Sequence, residues 1–372
     1  MPLEQFEIAH VRNIAAVRLQ FSPSINLMVG ENASGKTSVL EAIHLLGYGR
    51  SFRPGPVRQI VAHGQEALTV SGAVRDAAGF SHRLGIRLSA GDKEIRVDAR
   101  KADSQAELSR LFPVIAVQPS AQILLESAPD LRRQFLDWTV FQADEGFLDG
   151  WRRYHKSLEQ RNRLLRQRAT DSLEAWEHEI ALHGEKVGAV RRTVLARLET
   201  QVREVAGSFL PLPELHLEYR QGWRAGVSLQ EACRTNLERD LAQGYTADGP
   251  HRADFVVTVD GQAVRHFLSR GQMKLLVIAL KLAQARLVYA ARGECVTLLL
   301  DDLASELDKK NRAALFQALA ASDGLQIVLT GTDLSAMQNL NTSSTALFRL
   351  DKGIVTPDRP NPFTNPDLIN FA

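Results

Sequence analysis

A chain of 372 residues is longer than one hydrophobic core usually holds, which calls for two domains or one domain carrying a large insertion. With 44% hydrophobic and 24% charged residues and no low-complexity tract, the composition excludes a disordered or fibrous protein. Lys and Arg number 45 against 43 Asp and Glu, so whole-chain charge announces no nucleic-acid partner and any basic surface must be local. Two cysteines, Cys233 and Cys295, cannot build a disulfide framework and have no neighbour at metal-ligand spacing, which fits a reducing cytoplasm. Residues 1–10 lack the basic and apolar regions of an export signal. No apolar run approaches the roughly 18 residues of a membrane span, so no membrane partner is expected.

In chain order, Ile25 to Val29 is a compact apolar run ending at Gly30, a buried strand. Val39, Ala42, Ile43 and Leu46 follow at helical spacing, with Gly47 as a stop signal. Residues 65–100 alternate around Leu68-Thr69-Val70 and Leu84 to Leu88 and predict antiparallel strands. The character changes near Leu111-Phe112-Pro113. Residues 131–209 carry little strand signal, and the apolar spacing from Leu173 to Phe209 predicts one long amphipathic helix. A shorter helix with Trp151, Tyr154, Leu158 and Leu165 precedes it, and Asp171 with Glu174 suggests a capping box between them. The pair reads as an antiparallel arm; the alternative is a helical core domain with no projection. Phe255 to Val259, Asp260-Gly261 and Gln262 to Val264 predict a hairpin where the nucleotide fold resumes. Lys274 to Val288 reads as a helix, Val296 to Leu300 as a buried strand, Asn311 to Ala321 as a helix and Leu325 to Leu329 as a strand. The expected domains are 1–112 and 240–372 for a split α/β head, and 113–239 for the helical insertion.

Gly30-Glu31-Asn32-Ala33-Ser34-Gly35-Lys36-Thr37 fits the phosphate-binding P-loop pattern, with Ser38 next to it on the opening helix. Backbone N–H groups and a helix N-terminus would cradle the phosphates of ATP, Lys36 would reach the β- and γ-phosphates, and Thr37 would ligate Mg²⁺. Such a loop needs a carboxylate at a second strand end. Thr297 to Asp302 supplies it, with Asp301 the candidate metal partner and Asp302 the candidate for orienting or deprotonating water. Capping of a following helix is the other use of such an acidic pair. Leu268-Ser269-Arg270-Gly271-Gln272 precedes an apolar helix, where Ser269 is either an anion contact or an ordinary cap.

Leu268 to Gln272 resembles the ABC signature, and Asp301-Asp302 with Ser305-Glu306-Leu307-Asp308 resembles the Walker B and D-loop of the same superfamily. More closely, the chain resembles the RecF family of bacterial recombination mediators over nearly its whole length. Gly30 to Ile43, Gly49 to Arg53, Arg132 to Trp138, Gly249 to Asp254, Ser269 to Gln272 and Leu299 to Asp308 carry the resemblance. It implies an α/β, ABC/SMC-like ATPase head with a mixed sheet, interrupted by a helical arm. It further implies ATP and Mg²⁺ as ligands, an ATP-dependent homodimer joined through the signature of the opposing copy, and weak, DNA-stimulated hydrolysis. Single-stranded and duplex DNA at gaps and junctions, and partners of the RecR and RecO kind that load recombinase, complete the implied setting in DNA repair, replication and the SOS response. The chain departs from the pattern at Ala33, where the loop usually has glycine, and has Asp302 in place of the glutamate of most ABC proteins. No histidine follows the strand ending at Leu329, and Gln118 is the candidate Q-loop residue. These departures point to slow hydrolysis.

From Trp151 to Arg168 the sequence has Arg152, Arg153, Lys156, Arg161, Arg163, Arg166 and Arg168 against one acid, Glu159. Such a cluster neutralises DNA phosphates, and Arg50, Arg53, Arg58, Arg132 and Arg133 would extend it. A solvated face paired with acids of the neighbouring helix is the competing reading. No aromatic platform stands out, so backbone contacts are expected. Two other functions share the phosphate chemistry, the motor subunit of a membrane transporter and a structural SMC-type head. The latter needs a coiled coil far longer than the roughly 27 Å spanned here from Trp151 to Arg168 at about 1.5 Å per residue.

Overall fold

The computed structural model describes residues 1–53, 55–303, 307–340 and 344–358. The chain divides into two compact units, one formed by residues 1–121 together with 288 onward, the other by 122–287.

The first unit contains two six-stranded sheets. Strands β1 (Leu3–Val11), β2 (Ile14–Gln20), β4 (Ala67–Arg75), β5 (Ser81–Ser89), β6 (Lys93–Val97) and β7 (Arg100–Lys101) form an antiparallel sheet in the order β2-β1-β4-β5-β6-β7. The second sheet comprises β3 (Ile25–Gly30), β8 (Val114–Val117), β12 (Val296–Leu300), β13 (Leu325–Gly331), β14 (Thr345–Asp351) and β15 (Ile354–Pro357), in the order β15-β14-β3-β13-β12-β8. Only β15 is antiparallel there. Every residue of β12 and β13 is buried, as a parallel sheet covered on both faces requires, which is why these strands read as unbroken apolar runs.

Helix α1 (Lys36–Tyr48) has almost no exposed face, and Leu40, Ile43 and Leu46 share one core with Phe6 and Val70 of the first sheet and Met28 and Val328 of the second. A helix buried all round anchors whatever its N-terminus carries. α2 (Gln105–Leu111) and α10 (Lys309–Ala320) also belong to this unit.

The second unit holds α3 (Ile123–Glu126), α4 (Pro129–Ala143), α5 (Phe147–Gln167), α6 (Leu173–Gly207), α7 (Leu229–Thr235), α8 (Leu237–Gln243) and most of α9 (Arg270–Arg292). It also has a three-stranded sheet of β9 (Leu215–Arg220), β10 (Asp254–Val259) and β11 (Gln262–Ala263). α5 and the 35-residue α6 pack on each other, with Tyr154, Leu158 and Ile180 sharing a core with Leu229 and Cys233 of α7. α6 also contacts α4 and β9, so this unit is more than a two-helix arm.

Three expectations change here. The hairpin at Asp260-Gly261 forms, with both residues at positive φ as a tight primed turn demands, but its strands belong to the second unit. Residues 254–259 pair with β9, a strand that periodicity missed because it is short and follows a long helix. The limits 113–239 therefore differ from the observed division: β8 pairs with β12 in the first unit, while 240–287 stays with the second. The capping box at Asp171 is absent; Ser172 occupies the cap without a side-chain hydrogen bond, its φ of −109° and ψ of 5° being far from the extended backbone a cap needs, and Glu174 pairs instead with Arg234.

Candidate nucleotide site and DNA-facing surface

The two motif glycines are required for different reasons. At the end of β3, a Cβ on Gly30 would lie 2.3 Å from the Leu350 carbonyl oxygen, so only glycine lets β14 approach. Gly35 has a φ of 111°, where L residues are strained. Ala33 also takes positive φ, 63°. Glycine would take this conformation without strain.

α1 starts at Lys36, so its N-terminal amides face the loop. Lys36 Nζ donates to the carbonyls of Gly30 (2.6 Å) and Glu31 (2.7 Å), curling back over the loop. Ser38 Oγ donates to Asn13 Oδ1 at 2.9 Å, and Gly353 N donates to the Ser34 carbonyl at 2.8 Å. Two distant turns thus brace the loop, neither of them visible in the motif.

Asp301 follows β12, and β13 lies between β12 and β3, so three carboxyl ends of parallel strands meet at one place. Asp301 Oδ1 accepts from Thr37 Oγ1 at 3.1 Å and from Thr330 Oγ1 at 2.9 Å. The same Thr330 oxygen accepts from the Asp302 N–H at 2.8 Å. Thr330, which directly follows Leu329 at the position of the absent switch histidine, fixes both acids; in the sequence it passes for one more β-branched strand residue. Burial raises the Asp301 pKa, opposed by the hydrogen bonds from Thr330 and Thr37. Burial likewise lowers that of Lys36, opposed by Asp302 and Asp301.

These groups line a cavity of about 390 Å³. Asn32, Ala33, Gly35, Lys36, Thr37, Ser38, Asp301 and Asp302 face it, joined by Asn13 and Arg53. Arg53, expected on a DNA surface, is instead a wall of this cavity, and its charge acts on Asp301. Gln118 does not line it, although it follows β8 directly; its amide donates to the Phe52 carbonyl at 3.5 Å. Arg50 is exposed, with its guanidinium 5.0 Å from the Tyr48 ring centre. Ser305 and Glu306 lie outside the described residues, and Asp308 caps α10 by accepting from Asn311 N at 2.9 Å.

In the second unit, Ser269, Arg270, Gly271 and Gln272 are all exposed at the start of α9. Gln272 N donates to Ser269 Oγ (3.2 Å) and Ser269 N to Gln272 Oε1 (3.0 Å), a reciprocal capping box. Capping is real here, and it leaves the segment open to solvent.

Arg152, Arg153, Lys156, Arg163, Arg166 and Arg168 are exposed on or just beyond α5. Arg153 pairs with Asp149 at 2.9 Å, an acid just outside the basic stretch. Arg161 is a correction: its side chain is fully buried and bonds Asp240 (2.6 Å), Glu177 (3.0 Å) and Thr246 (2.8 Å). It shares the stripe of Tyr154, Leu158 and Leu165, the inward face of the helix, so it cannot reach DNA. Arg132 is also buried, held by Asp254 at 2.8 and 3.0 Å, and Arg133 bonds the Ala253 carbonyl and Asp130. The stretches 132–138 and 249–254 are thus locked together inside one unit.

The RecF/RecN/SMC N-terminal domain family matches residues 2–355. The DNA replication and repair protein RecF of Pseudomonas paraeruginosa is 40% identical over 362 residues, 96% of this chain and 98% of that one. Among solved structures, the recombination mediator protein RecF-ATP in the RecFOR pathway superposes with a TM-score of 0.84 at 28% identity, over 96% of this chain and 98% of that chain. An SMC head bound to the C-winged helix domain of ScpA gives 0.60 at 12% identity over 99% and 100%, a likeness of fold alone. With the P-loop, the paired acids and the split head carried on one continuous match, the chain belongs to the RecF/RecN/SMC family, within it to the RecF DNA replication and repair proteins, and has their mixed α/β ATPase-head fold.

Proposed function

We propose that this chain is an ATP-gated DNA-binding protein of recombinational repair, in which nucleotide bound by the first unit pairs two copies and the second unit contacts DNA. The observation that carries the reading is the joint between Thr37 and Asp301, 3.1 Å apart beside a buried Lys36, in a cavity at the carboxyl ends of parallel strands. Amides at the start of α1 supply donors for phosphate, and Lys36 exchanges the Gly30 and Glu31 carbonyls for phosphate oxygens. The Thr37 hydroxyl and Asp301 carboxylate are hard oxygen donors that fit Mg²⁺, which when bound shields phosphate charge. Asp302 lines the cavity and orients water there. With a short acid at this position and Thr330 following Leu329, hydrolysis is slow and serves as a switch.

The exposed Ser269 to Gln272 segment contacts the nucleotide of the second copy, and the exposed cations of α5 contact phosphates of single-stranded and duplex DNA near gaps. Similarity to a recombination mediator of the RecFOR pathway supports partners of the RecO and RecR kind; with them the chain helps load recombinase in the cytoplasm. A transporter motor is disfavoured by the RecF match over nearly the whole chain, and among the described residues no helix is long and apolar enough to cross a membrane.

Sedimentation velocity with and without ATP, combined with calorimetry, tests the scheme. The wild type should dimerise on adding ATP. Lys36→Ala should neither bind ATP nor dimerise, and an unchanged Kd would remove the cavity from consideration. Ser269→Arg should bind ATP yet stay monomeric, because a bulky cation on the exposed helix start blocks the opposing copy. If it loses ATP binding while folded, Ser269 serves its own chain's site and the trans pairing is wrong.

A further inference from the structure

The loop after α8 places an aromatic ring where the basic face of α5 ends. Tyr245 is 40% exposed, and the guanidinium of Arg252, itself exposed, lies 5.5 Å from its ring centre. Single exposed aromatics are common, but this one is held from both sides. On one side Gly244 closes α8 at a φ of 73°, and a Cβ there would lie 3.1 Å from Arg166 Cγ of α5. On the other side Thr246 is bolted down. Its N–H and hydroxyl both donate to Asn162 Oδ1 at 2.7 Å, Arg161 donates to its hydroxyl at 2.8 Å, and its carbonyl meets His251 Nε2 at 3.0 Å. Ala247 N donates to Asp240 Oδ1 at 3.0 Å. The buried network around Arg161 therefore immobilises the backbone next to a ring that stays in solvent.

The cations nearby are unspent. Among the described residues neither Arg166 nor Arg252 has a carboxylate at ion-pair distance. Arg152, Lys156, Arg163 and Arg166 also follow one another at helical spacings of four, seven and three, a single stripe roughly 21 Å long at about 1.5 Å per residue, with Tyr245 at its end. A stripe of cations matches a run of backbone phosphates, and a rigid exposed ring with a cation on its face matches a base that has left its stack.

Resting on the DNA reading above, we propose that Tyr245 is the stacking platform for an unpaired base of single-stranded DNA, with Arg252 and Arg166 taking the phosphates beside it. The α5 stripe then holds backbone irrespective of strandedness, and Tyr245 distinguishes an opened strand from a closed duplex.

The test is fluorescence anisotropy of the full chain on a single strand, a blunt duplex and a gapped duplex, for wild type, Tyr245→Leu, Tyr245→Trp and Arg252→Gln. Tyr245→Leu should weaken single-strand and gapped binding by roughly 5- to 100-fold, the span of one base stack, and leave the blunt duplex unchanged. Tyr245→Trp should restore it. Arg252→Gln should flatten the single-strand salt slope by about 0.7. On wild type, 2-aminopurine in the single strand should be quenched on binding, a readout that holds even if a variant misfolds. Unchanged single-strand affinity in Tyr245→Leu, equal weakening on all three DNAs, or no quenching would overturn the proposal. If wild type binds none of the three DNAs, it is the underlying DNA reading that fails.

Discussion

Ala33 at a φ of 63° places an L residue in the left-handed region, which costs roughly 1–2 kcal/mol, within a loop whose neighbour Gly35 is also at positive φ. Glycine there would relieve the strain and return about 0.5–1 kcal/mol to backbone entropy, leaving a net gain of up to about 1.5 kcal/mol. Ala33→Gly should therefore raise the thermal midpoint by up to about 2 °C. A lower midpoint would show that the loop does not hold this conformation in solution. Gly30 is the opposite case, held by the approach of the Leu350 carbonyl and not by φ, so the same motif contains two glycines that fail for different reasons. At this scale the P-loop and the paired acids were legible because each needs a fixed residue type at a fixed spacing. Thr330, Asn13 and the cavity role of Arg53 were not, since each arrives from a separate segment and has no local pattern of its own.

At the scale of the element, α5 shows what counting charges omits. Its sequence offers a run of cations, yet the stripe through Tyr154, Leu158 and Leu165 turns Arg161 inward, against Glu177 and Asp240. Strand runs in the head were legible for the converse reason, a parallel strand covered on both faces being apolar throughout, while β9 alternates over only six residues and was missed. The Arg161 cluster joins α5, α6 and α8, and removing the guanidinium leaves two carboxylates buried without their cation. Arg161→Ala should destabilise the chain by about 3–5 kcal/mol in urea unfolding, with nucleotide affinity kept while the chain is folded. A destabilisation below about 1 kcal/mol would mean that water reaches the acids and that the cluster is not a structural joint.

For the whole molecule, the candidate nucleotide cavity lies in one compact unit and the α5 cations in the other, so the proposed DNA contacts can be removed without touching the phosphate site. Arg152 and Arg153 are the sharpest place to do so. Arg153 does pair with Asp149, but both side chains are more than 60% exposed, where such a pair is worth little and yields readily to a phosphate. Replacing both arginines by alanine should lower affinity about equally for unrelated DNA sequences, because backbone contacts carry no base information. A phosphate that no arginine neutralises keeps its counterion on binding, so the slope of log K against log salt on duplex DNA should flatten by roughly 0.9 for each arginine removed, about 1.8 for the pair. Calorimetric ATP binding should be unaltered. A double variant that keeps the wild-type slope would assign these two arginines to a solvated face, and the duplex contacts would then have to come from other exposed cations, among them Lys156, Arg163, Arg166 and Arg168 on or just beyond α5 or Arg50 and Arg58 in the other unit.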